Sequence, residues 1–395
     1  MVSRWPAGRL QEISLVTMGT SPPSSTCNEH GEGVPLLNGP TEFGPDHPSP
    51  VQYTVQPVKT CRRGDILFCV RGSTTGRMNW ADREYAIGRG LAAVRHRSDD
   101  HCQPYVRAVI DYRLSQLLAI ASGSTFPSVS RSDIEGLAIP VAPLAEQQAI
   151  SSVLKELDDK IELNRRMNET LESLAQSLFQ EWFVAPAQAG LPKGWHEGKV
   201  SDLCSTQYGY TARAMEEAVG PKFLRVMDIN KQKWTDWSLV PHCSIADEDK
   251  SRYALSVGDI LVARMADPGK SAIVEQPIDA VFASYLVRLK TESLAQAYHL
   301  YYFLKSQAYT DYSEGAMSGS VQANMNAKVI VAAELPIPPA PLMEAFLAKV
   351  LPLRQRIVAN LNESQTLAAL RDALLPKLLS GEIRVKSAQR RLEIT

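Results

Sequence analysis

Gly64-Asp65-Ile66-Leu67 is written a second time in this chain, as Gly258-Asp259-Ile260-Leu261. Other landmarks recur in the same order, at an offset that drifts only between 190 and 198 residues: Trp5 and Trp195, Gly19 and Gly209, Ser122-Gly123-Ser124 and Ser318-Gly319-Ser320, and Ile139-Pro140 and Ile337-Pro338. Solenoid repeats are much shorter, at roughly 20–50 residues. We therefore interpret the chain as a duplicated unit in which each copy holds a domain and an additional element.

The composition predicts a folded protein of two or three domains. The chain has 395 residues, of which 44% are hydrophobic, and it contains no apolar stretch of about 18 residues that could span a membrane. Residues 1–5 lack the apolar segment of a secretory signal. The six cysteines are scattered without a Cys-x-x-Cys pair, which favours reduced thiols over a disulfide framework or a zinc site. We expect a cytoplasmic protein.

The net charge of −1 does not by itself indicate a nucleic-acid partner. Residues 1–143 contain 14 basic and 13 acidic residues, and 13 of the basic residues are arginine. Arginine binds phosphate groups and guanine edges bidentately. In residues 191–341 the balance is 15 basic to 17 acidic residues, so the electrostatic indication is weak there. On charge alone, an ordinary solvated surface is the alternative.

Residues 1–143 and 191–341 carry short apolar runs that are separated by turn residues. The runs at 65–70, 91–94, 259–263 and 285–289, flanked by Gly, Asp and Pro, are typical of strands. A helical stretch follows in each copy, over residues 104–121 and 293–309. The predicted fold class of each globular part is therefore α+β.

A long helix is predicted to end each copy. No Pro or Gly interrupts residues 144–183, and the residues of one stripe alternate in steps of four and three, which is the heptad pattern of a coiled coil. This stripe comprises Ile150, Leu154, Leu157, Ile161, Asn164, Asn168, Leu171, Ala175 and Leu178. At 1.5 Å per residue, about forty residues give a rod of roughly 60 Å. A second stripe runs from Phe346 to Leu378, where Pro352 and Pro376 are expected to kink the helix or limit its ends.

Polar residues interrupt both stripes near their centres. Asn164 corresponds to Asn360, and Asn168 corresponds to Ser364, at an offset of 196 residues. Related helices that cross antiparallel would bring these four residues together, and a buried Asn costs stability but fixes helix register. We predict that the four residues set the register. A generic dimerising coiled coil with incidental Asn residues is the alternative.

Motifs that would indicate catalysis are missing from the sequence. There is no G-x-x-x-x-G-K-[ST] phosphate loop, no H-E-x-x-H and no G-x-S-x-G. Glu248-Asp249-Lys250, with Asp236 upstream, has the appearance of a nuclease motif, but it lies in a polar run without a framing strand. The sequence therefore indicates a binding protein without catalytic residues or a metal site.

Several segments together resemble the specificity subunits of type I restriction–modification systems, over nearly the whole chain. They are residues 140–148, 161–171, 178–183, 191–195, 318–326, 337–342 and 374–383. The chain departs from that family's pattern where the second helix begins, because Met343-Glu344-Ala345-Phe346 replaces a Glu-Gln-Gln motif.

The resemblance implies two target-recognition domains, 1–143 and 195–341, related by a pseudo-twofold axis. Two long antiparallel coiled-coil helices, 144–185 and 342–383, would join them, with a linker at 186–194 and a tail at 384–395. Each domain would read one half of a bipartite asymmetric site in double-stranded DNA. Two modification subunits and two restriction subunits would be the protein partners. The chain would bind no cofactor, and those subunits would use S-adenosylmethionine, ATP and Mg²⁺.

Loops that follow the predicted strands are the candidate DNA-binding elements. Base readout needs Arg, Lys, Asn, Gln, Ser and Thr on loops that a rigid core presents. The candidates in the first domain are Arg71, Ser73, Thr74, Arg77, Ser124 and Thr125. The candidates in the second domain are Tyr208, Tyr210, Arg213, Arg264, Lys270, Ser320, Gln322, Asn324 and Asn326. For any single one of them, a solvated loop residue is the alternative.

Two other functions stay open from the sequence. A stand-alone nuclease or methyltransferase built on duplicated DNA-binding domains would turn over with Mg²⁺ or S-adenosylmethionine. A coiled-coil adaptor that binds proteins alone would show no loss of DNA affinity with rising salt, because it would neutralise no phosphates.

Overall fold

The structure is a computed structural model that describes residues 4–44, 46–121, 127–230, 233–317 and 324–385. The chain divides into two compact units. Unit 1 comprises residues 1–160 and 366–395, and unit 2 comprises residues 161–365. The boundary falls inside the two long helices, so each unit contains one globular part and a section of both helices.

The first copy of the repeat is built from short strands followed by helices. Its elements are β1 (Ala7–Arg9), β2 (Ser14–Met18), β3 (Cys27–Asn28), β4 (Val34–Leu37), β5 (Gln52–Thr54), β6 (Thr60–Cys61), β7 (Ile66–Cys69), β8 (Met78–Trp80), β9 (Tyr85–Ile87), β10 (Leu91–His96), α1 (Gln103–Tyr112), α2 (Leu114–Ile120), α3 (Arg131–Glu135), β11 (Ala138–Pro140) and α4 (Leu144–Phe179). Single turns of 3₁₀ helix lie at Leu10–Glu12, Ser24–Thr26, Pro40–Glu42 and Asp100–Cys102.

The second copy repeats this order with fewer strands. After a π-helical turn (Gln180–Val184) come α5 (Ala185–Gln188), β12 (His196–Lys199), a 3₁₀ turn (Val200–Asp202), β13 (Cys204–Tyr208), β14 (Lys222–Leu224), α6 (Val226–Ile229), α7 (Asp247–Tyr253), β15 (Ile260–Ala263), β16 (Ser271–Ile273), β17 (Ala280–Phe282), β18 (Leu286–Thr291), α8 (Leu294–Leu304), α9 (Gln307–Met317), α10 (Ala327–Val331), β19 (Glu334–Ile337) and α11 (Ala340–Ser380).

The central sheets of the two copies share one topology. The order β2-β10-β7-β8 in unit 1 matches β13-β18-β15-β16 in unit 2, and all their pairs are antiparallel. The pair β1-β11 likewise matches β12-β19. Unit 1 adds a five-stranded sheet, β3-β5-β4-β9-β6, where unit 2 has the parallel pair β14-β17. The α+β class expected for each globular part is confirmed.

The repeated Gly-Asp-Ile-Leu segment forms the entry into the central sheet. Gly64 and Gly258 have φ of 88° and 95°, a left-handed conformation that favours glycine. The buried Asp65 accepts a hydrogen bond from the Arg62 backbone N–H at 2.8 Å and binds Arg95 on the neighbouring strand. Asp259 likewise accepts from the Ser256 N–H and binds Arg288 on β18. The motif is therefore a turn, a buried ion pair and the start of a core strand.

The long helices run antiparallel within each unit. In unit 1, Asp158 Oδ1 lies 2.7 Å from Arg371 Nη1, and Glu146 lies 3.5 Å from Arg384. In unit 2, Asn164 Nδ2 donates to Ser364 Oγ at 3.2 Å, and Asn168 Oδ1 accepts from Asn360 Nδ2 at 2.8 Å. In each unit, a later residue on α4 thus contacts an earlier partner in the segment that begins with α11. The expected antiparallel pairing is confirmed.

The buried stripe of α4 differs from the expected heptad seam in unit 2. Asn168 and Ala175 of the expected stripe are buried, but Leu171 and Leu178 are half-buried, and their neighbours Glu172 and Phe179 are buried in their place. The steps from Asn164 to Ala175 are four, four and three, which sum to an eleven-residue period of about 3.67 residues per turn. Glu172 therefore takes the buried position that the heptad pattern gives to Leu171.

The structure places two boundaries differently from what the sequence predicts. Helix α11 runs through Pro352 and Pro376 to Ser380, so neither proline limits its ends, and the alternative of a kink stays a prediction. Pro352 and Ala348, whose carbonyl loses its intrahelical bond, are both exposed, and water can satisfy that carbonyl. The expected linker also begins as helix, because α5 includes Pro186 in its first turn, where proline is tolerated.

An aromatic cluster forms the centre of the unit 2 core. The Phe346 ring lies 5.0 Å from Phe183, 6.0 Å from Phe179 and 5.9 Å from Tyr302. His299 packs on Phe183 at 4.6 Å, and burial lowers the pKa of this histidine to about 3. His299 is therefore a neutral ring that packs as an aromatic residue.

A buried ion network connects the helices of unit 2 to its globular part. Arg354 on α11 is 1% exposed and binds Glu172 on α4 and both carboxylate oxygens of Glu275. Lys305 Nζ lies 3.0 Å from Glu172. Burial alone would raise the pKa of Glu172, but Lys305 and Arg354 outweigh it and hold the pKa below its ordinary value. Two cations and two carboxylates thus neutralise each other inside the core.

Among the described residues, no helix is both long and apolar enough to cross a membrane.

Candidate nucleic-acid interface

The candidate loop of the first domain connects β7 to β8. Arg71, Ser73 and Thr74 are exposed on it, and the left-handed Gly72 and Gly76 (φ 93° each) allow the chain to reverse there. Thr75 Oγ1 donates to the carbonyl oxygens of Gly72 and Pro127, both at 2.8 Å. The loop is therefore held by Pro127, in the segment that leads to α3.

Arg77 is placed differently from its three neighbours. Its guanidinium donates to the carbonyl oxygens of Pro40 at 3.2 Å and Phe43 at 3.0 Å, and it lies 5.8 Å from the centre of the Phe43 ring. These contacts tie the loop to the 3₁₀ turn Pro40–Glu42. Arg77 stabilises the loop in this conformation, whereas Arg71 makes no ion pair with any residue that the structure describes.

The candidate loop of the second domain connects β15 to β16 and carries Arg264 and Lys270. The Arg264 guanidinium lies 5.1 Å from the centre of the Tyr208 ring, which is 44% exposed. The Tyr208 hydroxyl accepts a hydrogen bond at 3.0 Å from the backbone N–H of Ala327, the first residue of α10. Three separate segments, around residues 208, 264 and 327, therefore meet at one place.

The remaining candidates of the second domain differ in how exposed their side chains are. Asn324 is exposed and bridges to Met265 through the backbone, and the Asn326 side chain caps α10 by accepting from the Val329 N–H at 3.0 Å. Arg213 and Lys270 are exposed. Tyr210 is half-buried, with its ring 5.3 Å from that of Tyr253. The candidates Ser124, Thr125, Ser320 and Gln322 lie outside the described residues.

An equivalent backbone hydrogen bond holds each of the two candidate loops. The Val129 N–H donates to the Val70 carbonyl in unit 1, and the Met325 N–H donates to the Arg264 carbonyl in unit 2, both at 2.8 Å. This register aligns Arg71 with Met265 rather than with Arg264. Each unit therefore presents a strand-to-strand loop beside the segment leading into a short helix, α3 or α10, whose N-cap is Ser130 or Asn326.

The four polar seam residues contact one another inside unit 2. Asn164 Nδ2 donates to Ser364 Oγ at 3.2 Å and to Glu363 Oε2 at 2.9 Å. Asn360 Nδ2 donates to Asn168 Oδ1 at 2.8 Å. Asn164, Asn168 and Asn360 are fully buried. A shift of one helix along the other would break these bonds in a buried place, which is how such residues can hold a register.

The motif at 248–250 is part of α7, and Lys250 binds Asp279 at 2.9 Å. Asp236 accepts hydrogen bonds from Ser238 and from Gln365. Across the described ranges, no group of three or more His, Cys, Asp or Glu side chains is arranged to hold a metal ion. These contacts account for the motif as helix and surface structure.

The sequence analysis did not predict a basic pocket that lies on β13 and β18. Its lining residues are Ser205, Thr206, Gln207, Arg252, Arg288 and Lys290. The available signal was Arg288 and Lys290 at alternate positions of one strand, which places both side chains on one face. That signal was weak because Arg252 comes from a helix 36 residues earlier in the chain.

Comparison with known proteins agrees with this architecture. Residues 3–173 match the family described as type I restriction modification DNA specificity domain. The MjaIX type I restriction enzyme specificity subunit of Methanocaldococcus jannaschii is 28% identical over 290 residues, which are 68% of this chain and 65% of that subunit. The HindI specificity subunit of Haemophilus influenzae is 22% identical over 83% of this chain and 88% of its own length.

A crystal structure gives the same fold. The type I restriction–modification S subunit from M. genitalium has a TM-score of 0.62 and 17% identity, and the match covers 95% of this chain and 96% of that one. Residues 3–173 thus carry the match to the type I DNA specificity domain family. Over a longer stretch the chain is similar to type I restriction enzyme specificity subunits, and the crystal structure shares its fold.

The matched lengths differ between relatives. The chain spans 65% of the MjaIX subunit and 38% of a further M. jannaschii relative, to which it is 38% identical over 163 residues.

Proposed function

We propose that this chain reads DNA sequence for a type I restriction–modification complex, with each globular part contacting one half of a bipartite asymmetric site. The observation that carries the proposal is the pair of equivalent loop arrangements. In each of them the carbonyl at the equivalent position, Val70 or Arg264, accepts a backbone hydrogen bond. The first exposes Arg71, and the second places Arg264 against Tyr208. Arg, Ser, Thr and Asn on loops that hydrogen bonds hold in place can contact DNA bases and phosphates.

In this proposal the chain chooses the site and other subunits perform the chemistry. Two modification subunits would transfer methyl groups from S-adenosylmethionine to adenine N6. Two restriction subunits would use ATP and Mg²⁺. The relatives that support the proposal are named as specificity subunits, which agrees with a non-catalytic role.

Co-expression with the neighbouring modification subunit tests the proposal, with single-molecule mapping of N6-methyladenine in host DNA as the readout. We expect methylation at a two-part motif with a fixed gap, and we expect it to disappear when this chain is omitted. Methylation that persists without the chain, or a contiguous methylation motif without a gap, would refute the proposal and favour an adaptor that binds proteins alone.

Arg71→Ala is expected to weaken specific DNA binding by about 1–3 kcal/mol, because a base contact would be lost. The measurement is the Kd of the assembled complex for its mapped site and for sites with single base changes. Arg83→Ala is the matched control, since Arg83 lies in the β8–β9 turn, at the opposite end of the β7–β8 hairpin. If Arg71→Ala leaves both affinity and discrimination intact, Arg71 does not read a base.

Leu174→Asp is expected to abolish assembly with the modification subunit while leaving the fold unchanged. Leu174 is 48% exposed on α4, and residues 144–190 hold four basic and eight acidic residues, a charge that would repel DNA rather than bind it. An exposed apolar residue on such a helix suits a protein partner. Co-purification is the measurement, with Ser173→Asp as the control that adds the same charge to the neighbouring exposed position. A stable complex containing Leu174→Asp would contradict this docking surface.

A further inference from the structure

The basic pocket of unit 2 has the composition of an anion site. It measures about 290 Å³, and its lining residues include three cations, the Ser205 hydroxyl and the Gln207 amide but no carboxylate. In the β13–β18 ladder, Ser205 faces Lys290 and Gln207 faces Arg288. These four side chains occupy the same face of the sheet because alternate residues of a strand point the same way.

The pocket carries positive charge that the protein does not neutralise. Arg288 is fixed in place: its guanidinium donates to the Ala254 carbonyl at 2.7 Å, to Asp259 at 3.2 Å and to Gln207. Lys290 and Arg252 are exposed, and neither forms an ion pair with any part of the chain that the structure describes. The Arg252 guanidinium is held 5.4 Å from the centre of the Tyr253 ring. One fixed, paired cation and two unpaired cations therefore surround one concavity.

The fold does not require this charge. In unit 1 the equivalent positions of the β2–β10 ladder are Leu15 opposite Arg95 and Thr17 opposite Ala93. Arg95 is bound by both carboxylate oxygens of Asp65, at 2.6 Å and 2.5 Å, so its charge is balanced inside the protein. The same sheet thus forms in unit 1 with a single, paired cation. The unpaired cations Arg252 and Lys290 of unit 2 are therefore not needed to form the sheet.

We propose that the pocket binds a backbone phosphate of the same DNA whose bases the loop around Tyr208 and Arg264 contacts. This inference rests on the proposed function and adds a non-sequence-reading contact to it. Ser205 precedes Tyr208 by three residues on β13, about 10 Å along the strand at 3.4 Å per residue. This odd spacing places the pocket and the Tyr208 ring on opposite faces of the sheet, and β13 is its edge strand, so one DNA backbone would reach both around that edge. The oxygens of a phosphate accept hydrogen bonds from arginine, lysine and hydroxyl groups, and such contacts position a protein on DNA without reading bases.

The test compares the assembled complex of wild-type chain and modification subunit with one that carries Arg252→Gln and Lys290→Gln. Both residues are exposed, so the double variant should fold normally, which its thermal unfolding checks. Kd is measured over a series of KCl concentrations for the mapped duplex and for one without the site. We expect weaker binding to both duplexes, an unchanged methylation motif, and a slope of log Kd against log salt that falls by about 1, since one phosphate contact contributes about 0.9.

Controls separate the possible results. Lys199→Gln, at an exposed lysine on β12, should leave the slope unchanged, and Lys290→Arg should retain it. An unchanged slope in the double variant would overturn the proposal, and so would an altered methylation motif, which would mean that the pocket reads bases. Inorganic phosphate could bind the wild-type complex but not the double variant while the slope of log Kd for DNA against log salt is unchanged. The pocket would then bind a free anion, and the proposal that the phosphate belongs to DNA would be wrong. Absence of site-specific binding by the wild-type complex would instead refute the proposed function itself.

Discussion

Arg354→Met is expected to lower the free energy of unfolding by about 3–5 kcal/mol, because it leaves buried carboxylates without their main cation. Arg354 binds Glu172 and also Glu275, at 2.6 Å and 2.7 Å. Lys305 would remain as the one cation beside Glu172. Urea denaturation followed by tryptophan fluorescence measures the change.

Arg371→Met is the matched control for this prediction. Arg371 also lies on α11 and pairs with α4, but its side chain is 33% exposed and that of its partner Asp158 is 49% exposed. Exposed ion pairs contribute about 0–1 kcal/mol, since water solvates both charges in either state. A cost for Arg354→Met as small as that of Arg371→Met would show that the network does not stabilise unit 2.

Phe346→Ala is expected to cost about 3–5 kcal/mol of unfolding free energy, because it removes a fully buried ring and leaves a cavity. Phe346 is 0% exposed and contacts Phe179, Phe183, Trp182 and Tyr302 at centroid distances of 5.0–6.2 Å. The cluster joins α4, the π-helical turn, α8 and α11, so these elements should loosen together. The measurement is the midpoint and slope of the same urea transition.

Leu163→Ala serves as the control, since Leu163 is an apolar residue on α4 that is 53% exposed. Its truncation should change stability by less than about 0.5 kcal/mol. Equal effects for Phe346→Ala and Leu163→Ala would mean that the aromatic cluster is not the centre of the unit 2 core.

The candidate interface could be predicted in part because its loops follow strong strand patterns. The apolar runs at 65–70 and 259–263 placed β7 and β15 correctly, and the following loops carry Arg71 and Arg264. The roles of individual residues could not be predicted. Arg77 has the same charge as Arg71, but the carbonyl oxygens of Pro40 and Phe43, more than thirty residues earlier, bind its guanidinium. The basic pocket was missed for the same reason, since its cations come from α7 and β18.

The sequence by itself determined the duplication, the α+β class of each copy and the long helices, because these depend on local patterns that recur at a fixed offset. Tertiary structure alone decided that the charged residues Glu172 and Arg354 are buried. Glu172 lies in the helix seam, where the heptad pattern predicted Leu171, and it is stable there because Arg354 and Lys305 reach it from other elements. A buried charge needs a partner, and that partner is set by packing between residues more than one hundred positions apart.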